Sequence, residues 1–80
     1  MKKAKTCSSK ANMIGPRIKV ARQAAGMTQK DLCVKLELMA VYICRGSLSR
    51  IENGTRTVND MEIDAISRAL NVPLDVLFGR

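Results

Sequence analysis

The sequence contains no histidine and no tryptophan, and its only aromatic residues are Tyr42 and Phe78. The lack of histidine removes the commonest metal ligand and the commonest general base. The cysteines do not replace it, because Cys7, Cys33 and Cys44 are odd in number and are not spaced like a zinc site. We therefore expect free thiols, no metal site, no cofactor and a core of aliphatic side chains.

Features of enzymes, exported proteins and membrane proteins are also missing. The chain has no glycine-rich phosphate loop with a lysine and no paired carboxylates for acid–base catalysis, and 80 residues are too few to enclose a catalytic pocket. No apolar run approaches the roughly 20 residues that cross a bilayer, and the basic N-terminus lacks the apolar segment of a signal peptide. These absences predict one small, non-enzymatic, cytoplasmic domain without a membrane segment.

Acidic residues are scarce before residue 59. Residues 1–58 contain twelve Lys and Arg against three Asp and Glu, a net charge of +9, whereas residues 59–80 have a net charge of −2. A basic surface attracts polyanions, although a basic excess can also serve solubility alone. Nucleic acid is the natural partner if this excess is functional.

The first predicted helix covers residues 16–25. Pro16 opens it, because proline suits the first helical turn, and Gly26 closes it. Its apolar stripe, which should face the core, consists of Ile14, Ile18, Ala21 and Ala25.

The second predicted helix begins after Thr28, an N-cap candidate, with Asp31 placing a carboxylate in the first turn. No glycine stops this helix, and it should run to residue 38 or 39. The connection that follows is longer than a tight helix-turn-helix turn needs. We expect Tyr42 and Ile43 to enter the core there.

The third predicted helix, Arg45 to Gly54, is the segment around which the chain is organised. Leu48 and Ile51 are three residues apart and share one face, so the helix should pack on that side. The other side presents Arg45, Ser49 and Arg50. Asn53 and Gly54 end the helix, since both residues tolerate the left-handed conformation.

Two more helices are predicted toward the C-terminus. Asn59 and Glu62 resemble a capping box at the start of the fourth helix. Its core-facing residues are Ile63, Ile66, Ala69 and Leu70. A break at Asn71–Pro73 precedes a short apolar helix, Leu74 to Phe78, which is our candidate dimer surface.

Residues 1–13 form a lysine-rich segment without periodicity, which predicts a disordered basic arm before a domain of residues 14–80. The alternative is an arm that adds contacts to DNA phosphates or reaches into a DNA groove.

Across most of the chain, the sequence resembles the phage repressor and Cro-like helix-turn-helix proteins, also called the Xre family. The matching residues are Arg22, Gly26-Met27-Thr28-Gln29, Leu32, Leu48-Ser49-Arg50-Ile51-Glu52-Asn53-Gly54-Thr55-Arg56, Ile66 and Ala69-Leu70-Asn71-Val72. The resemblance implies an all-α, compact, five-helix lambda-repressor-like bundle with a lengthened turn between helices 2 and 3.

The resemblance also implies that the polar residues of the site have different roles. The residues expected to contact DNA bases are Arg45, Gly46, Ser49 and Arg50. The residues expected to bind DNA phosphates are Thr28, Gln29, Lys30, Asn53, Thr55 and Arg56. Arg22 and Glu52 should form an ion pair that orients the third helix without touching bases.

Two departures from the family pattern affect the third helix. Glu37 stands where the family usually has glycine, with several extra residues before Leu48, and Cys44 stands where Ser or Thr usually caps the helix. The loss of that cap weakens the helix start by about 1 kcal/mol.

The favoured function is a sequence-specific DNA-binding transcriptional regulator, a repressor that binds a two-fold related operator as a homodimer. The alternative is an antitoxin-like or other protein that uses the same fold to bind a protein partner. A third possibility, an interaction module without DNA binding, is disfavoured because Arg45 and Arg50 keep the third helix basic.

Overall fold

The computed structural model describes residues 10–80, and within them it contains five α-helices and no strands. The helices are α1 (Gly15–Ala24), α2 (Gln29–Leu38), α3 (Arg45–Asn53), α4 (Asp60–Leu70) and α5 (Leu74–Phe78). The prediction of an all-α, compact, five-helix bundle is therefore confirmed. None of these helices is long and apolar enough to span a membrane.

Local sequence signals set the ends of α2, α3 and α4. Capping boxes begin α2 and α4, with Thr28 and Asn59 as the N-caps. Gly54 ends α3 and Asn71 ends α4, both in the left-handed conformation, with φ values of 81° and 57°. These residues are the ones that the sequence predicted to start or end the helices.

The connection between α2 and α3 runs from Met39 to Cys44. It leaves α2 through Ala40, which adopts φ 64° although it is not glycine, and the N–H of Val41 donates to the carbonyl of Leu36 at 2.9 Å. Ile43 is buried, but Tyr42 is 75% exposed, so the prediction that both enter the core was wrong for Tyr42. Successive side chains of this extended segment point in opposite directions, so Ile43 faces the core while Tyr42 faces solvent.

The core is aliphatic, as the lack of aromatic residues requires. α1 packs against α3, α4 and α5, while α2 packs against α3 and α4. The largest fully buried side chains are Ile14, Ile18, Leu32, Leu36, Leu48, Ile51, Ile66 and Leu77. Ala25 is exposed, which corrects the predicted stripe of α1, because the helix ends at Ala24 and the chain turns away from the core. Ile63 is only partly buried.

The described part of the predicted N-terminal arm is joined to the bundle. The N–H of Ala11 donates to the carbonyl of Gly54 at 2.7 Å, and the Asn12 side chain bonds to Ile51 and Arg56. The ordered chain thus begins before residue 14. Residues 1–9, which make up most of the predicted arm and include Cys7, lie outside the described residues.

Candidate nucleic-acid interface

α3 has one face in the core and one face in solvent. Leu48 and Ile51 are fully buried, and they fix the rotation of the helix about its axis. Arg45, Gly46 and Arg50 are exposed and Ser49 is partly exposed. The exposed face therefore includes the four residues expected to contact bases.

The start of α3 is held by side chains rather than by an ordinary cap. Cys44 is the N-cap residue, yet its side chain makes no capping hydrogen bond; its thiol donates instead to the Ser47 hydroxyl at 3.2 Å. Arg50 Nη2 donates to the same hydroxyl at 3.4 Å. When the thiol ionises, the Ser47 hydroxyl donates to the thiolate, and this lowers the pKa of the exposed Cys44; the backbone N–H groups of Ser47 and Gly46 and the charge of Arg50 add to the effect.

Ser47 is a functional candidate that the sequence analysis missed. Its hydroxyl contacts both Cys44 and Arg50, and so it restrains the arginine along the helix surface. The spacing of three residues on either side was the available signal, since residues three apart on a helix are neighbours.

A cleft lies between the start of α2 and the exposed face of α3. It has a volume of about 380 Å³ and is lined by Gln29, Arg45, Gly46 and Ser49. Three predicted base-contacting residues and one predicted phosphate-binding residue therefore share one surface. Arg50 lies outside this lining.

The start of α2 is a capping box. Thr28 Oγ1 accepts from the N–H of Asp31 at 3.0 Å, and Asp31 Oδ2 accepts from the N–H of Thr28 at 3.0 Å. The hydrogen bonds from the backbone and side chain of Thr28 lower the pKa of Asp31. The N–H groups of Gln29 and Lys30 are the donors that a helix N-terminus offers to an anion. Lys30 is exposed beside them.

A buried ion pair joins α1 to α3. Arg22 Nε lies 2.7 Å from Glu52 Oε2 and Arg22 Nη2 lies 3.1 Å from Oε1, with side-chain exposures of 9% and 1%. Gln29 Nε2 donates to the same Oε1 at 3.0 Å, and Arg22 Nη1 donates to the carbonyl of Met27 at 2.8 Å. The hydrogen bond to Glu52 raises the pKa of Arg22. The network thus connects α1, the start of α2 and α3.

Gln29 has a structural partner that the sequence analysis did not foresee. Gln29 was expected to bind a phosphate together with the N-terminus of α2, and in the structure its side-chain NH₂ group donates to Glu52. The helix N-terminus at Gln29 remains available for an anion through its backbone, whereas the side chain serves the Arg22–Glu52 network.

The loop after α3 contains the second group of expected phosphate ligands. Both the N–H and the hydroxyl of Thr55 donate to the carbonyl of Arg50, at 2.9 and 3.2 Å. Arg56 pairs with Glu62 through Nη2 and Oε2 at 3.2 Å. Asn53 is exposed at the end of α3.

The Arg56–Glu62 pair was not foreseen from the sequence. Burial of Glu62 acts to raise its pKa, but hydrogen bonds from Arg56 and from the N–H of Asn59 outweigh it, and the pKa is lowered. Glu62 is also the partner of Asn59 in the capping box of α4. It therefore joins the loop to α4 and partly neutralises Arg56.

The described residues contain no group of three or more potential ligands arranged for a metal ion. Among them, Cys33 and Cys44 are free thiols, the first partly buried and the second exposed.

Two helices joined by a turn, with the second helix exposing a basic face and the first presenting its N-terminus beside it, define a helix-turn-helix domain. The family model HTH_3, described as helix-turn-helix, matches residues 18–77, which is most of the chain. The protein belongs to this family, the Cro/C1-type or Xre family. Comparisons with curated proteins and with solved structures gave no significant match.

Membership of the family makes the protein a DNA-binding transcription regulator rather than an enzyme. The family named from the sequence resemblance is confirmed.

Proposed function

We propose that the protein is a sequence-specific repressor that inserts α3 into the major groove of its operator and blocks access to a promoter. The observation that carries the proposal is the exposed face of α3, where Arg45, Gly46 and Ser49 share a cleft with Gln29 at the start of α2. This arrangement fits a helix that contacts base edges while the preceding helix meets the DNA backbone. Its target would be genomic DNA, so we expect it to act in the cytoplasm.

Base contacts are assigned to the exposed residues of α3. Arg45 and Arg50 are exposed, and either guanidinium can donate two hydrogen bonds to guanine O6 and N7. Such a pair discriminates against the wrong base by about 1–3 kcal/mol. Ser49 can donate or accept, and Gly46 permits close approach of the backbone.

Phosphate contacts are assigned to two surfaces that flank α3. The first is the start of α2, with the backbone N–H groups there and the ammonium of Lys30. The second is the loop with Asn53, Thr55 and Arg56. Arg56 already pairs with Glu62, so it would share its guanidinium between the carboxylate and a phosphate. Thr28 would contribute to the first of these phosphate contacts as the N-cap residue that begins α2.

A homodimer is the proposed state on DNA, because one domain of this size touches few base pairs. Two copies would occupy half-sites about 34–36 Å apart. An apolar groove of about 450 Å³ is lined by Val20, Ala24, Leu70 and Val76, among others, and none of its residues belongs to α2 or α3. Val76 is 46% exposed, which supports a dimer surface that includes α5.

The same groove favours a second candidate function, that of an antitoxin-like protein whose partner is another protein. Copurification from the native host separates the two functions. A stoichiometric protein partner favours the second, and a homodimer without one favours the repressor.

Selection of bound sequences from a random duplex library, near physiological salt, tests the proposal directly. We expect an enriched motif with two-fold symmetry. Arg50→Ala should then relax base preference at one position, whereas Arg56→Ala should weaken binding to all duplexes alike. Equal losses by both variants on selected and random DNA would contradict the assignment of Arg50 to bases, and no enrichment at all would contradict sequence-specific binding.

A further inference from the structure

Residues 10–12 form a short strap across the end of α3. The N–H of Ala11 donates to the carbonyl of Gly54 at 2.7 Å. Asn12 Nδ2 donates to the carbonyls of Ile51 and Arg56, at 3.1 and 2.8 Å. The strap is thus bonded to the last turn of α3 and to the loop that follows it.

Asn12 also fixes the direction in which the chain enters α1. Its Oδ1 accepts from the N–H of Gly15 at 2.7 Å. One side chain therefore joins the start of α1, the end of α3 and the loop at Arg56. Asn12 therefore fixes the position of the strap, including its solvent-exposed residue Lys10.

The strap presents Lys10 to solvent beside the loop after α3. Lys10 Nζ lies 3.4 Å from the carbonyl oxygen of Asn53, and its side chain crosses Gly54, where a Cβ would come within 3.0 Å of Lys10 Cδ. Lys10 is exposed, and no carboxylate of residues 10–80 pairs with it. An ammonium group without a carboxylate partner among residues 10–80 therefore lies next to Asn53 and Gly54, at the start of the loop after α3.

A purely structural role for Lys10 would be to stabilise the C-terminus of α3. A cation there interacts favourably with the helix dipole and with the last carbonyls. The contact with Asn53 is longer than the usual 2.7–3.2 Å for such hydrogen bonds. An ammonium group has three donors, so two remain for another acceptor.

We propose that Lys10 binds a phosphate of the DNA backbone and is held in place for that contact by Asn12. The proposal rests on the proposed function, since it adds one residue to the same interface. It agrees with the alternative expectation of an arm that contacts phosphates, and it differs from the expectation of a disordered arm because the strap is hydrogen-bonded to the loop proposed to bind phosphate. Loss of one contact between a lysine and a phosphate makes the slope of log affinity against log salt concentration shallower by about 0.9.

The test compares Lys10→Gln with Arg80→Gln, which removes one positive charge after α5. Binding of each to the selected duplex and to a random duplex is measured between 50 and 200 mM salt. For Lys10→Gln we expect a slope shallower by about one unit, so that its deficit relative to wild type changes about 3–4-fold across this range. The loss should be equal on both duplexes, and Arg80→Gln should retain the wild-type slope.

Circular dichroism melting separates phosphate binding from a role in the fold. We expect Lys10→Gln and Arg80→Gln to melt alike. A lower melting temperature for Lys10→Gln with an unchanged salt slope would show that Lys10 only caps α3, and would overturn the proposal.

Asn12→Ala tests the positioning role. In that background, adding Lys10→Gln should no longer change the salt slope, because the ammonium is no longer held beside the loop. If Lys10→Gln changes the salt slope as much in the Asn12→Ala background as in wild type, the positioning role of Asn12 is refuted.

The two proposals fail in different ways. If wild type binds the selected duplex but Lys10→Gln keeps its slope, only the assignment of Lys10 is wrong. If wild type binds no duplex, the proposed function is wrong and the assignment of Lys10 falls with it.

Discussion

Replacing Glu52 with glutamine removes one negative charge from the network that joins α1, α2 and α3. The Glu52 side chain is 1% exposed and accepts from Arg22 and Gln29. Glutamine keeps the shape, but one carboxylate oxygen becomes an NH₂ group that cannot accept from a guanidinium. Arg22 is then a buried cation without a counter-charge.

The expected loss of stability follows from this burial. Removing one partner of a buried ion pair destabilises a protein by about 3–5 kcal/mol. Arg22 keeps 9% exposure and its bond to the carbonyl of Met27, so we expect the lower end, about 3 kcal/mol. In a domain of this size, that loss lowers the melting temperature by about 12–24 °C.

Urea and thermal unfolding followed by far-ultraviolet circular dichroism measure this loss. Glu37→Gln is the matched control, since it makes the same change at an exposed site on α2 and should alter stability by less than about 0.5 kcal/mol. The double change Arg22→Met with Glu52→Leu removes both charges. It should recover most of the loss, because apolar replacement of a buried pair is often neutral.

Two results would refute this reasoning. If Glu52→Gln stays within about 1 kcal/mol of wild type, the buried charge of Arg22 is tolerated and the network is less important than its geometry indicates. If the double change loses as much stability as Glu52→Gln, lost packing rather than an unpaired charge is the cause.

Further predictions concern backbone conformation, steric space and acid stability. Ala40→Gly should stabilise the fold by about 0.5–1 kcal/mol in urea unfolding, because φ 64° is strained for alanine; a loss would contradict that strain. Gly15→Ala should destabilise it by about 2–3 kcal/mol, because the new methyl would overlap the carbonyl oxygen of Ile51. In Gly46→Ala the new methyl would meet only Arg50 Nη1, at 3.8 Å, so the variant should gain up to about 1 kcal/mol in stability. It should nevertheless bind DNA more weakly, and unchanged binding would argue against a close approach of the Gly46 backbone to DNA. The folded-state pKa of Glu62 lies below its ordinary 4.5, so the stability that it adds is present above pH 4.5 and is lost as the pH falls through the folded pKa. Unfolding at pH 7 and pH 3 should therefore show a smaller acid loss for Glu62→Gln than for wild type, and equal losses would contradict the shift.

The helix boundaries were predictable because their signals are local. Thr28, Asn59 and Gly54 act on backbone groups within a few residues of themselves. The buried face of α3 followed from the spacing of Leu48 and Ile51, which depends only on helical geometry. The family followed from residues spread over most of the chain.

The contacts within the site were less predictable, because they join residues distant in sequence. The bond from Gln29 to Glu52 and the pair of Arg56 with Glu62 arise from the packing of separate helices. The strap could not be predicted, because a lysine-rich segment without periodicity does not indicate its contacts. The Asn12 side chain donates to the carbonyls of Ile51 and Arg56, which are some 40 residues away in the sequence. For Gln29 and Arg56 the polar residue was identified but its partner was not, whereas Asn12 was not identified as a functional residue at all.

Tyr42 lies 75% exposed in the connection that leads into α3, and the chain has no tryptophan and no other tyrosine. Tyrosine emission from this protein therefore originates at a single, solvent-facing ring. Because that ring is already exposed in the native state, unfolding should change its emission little. A macromolecule that covers the start of α3 should change it more, so the unlabelled protein contains its own optical reporter of occupancy.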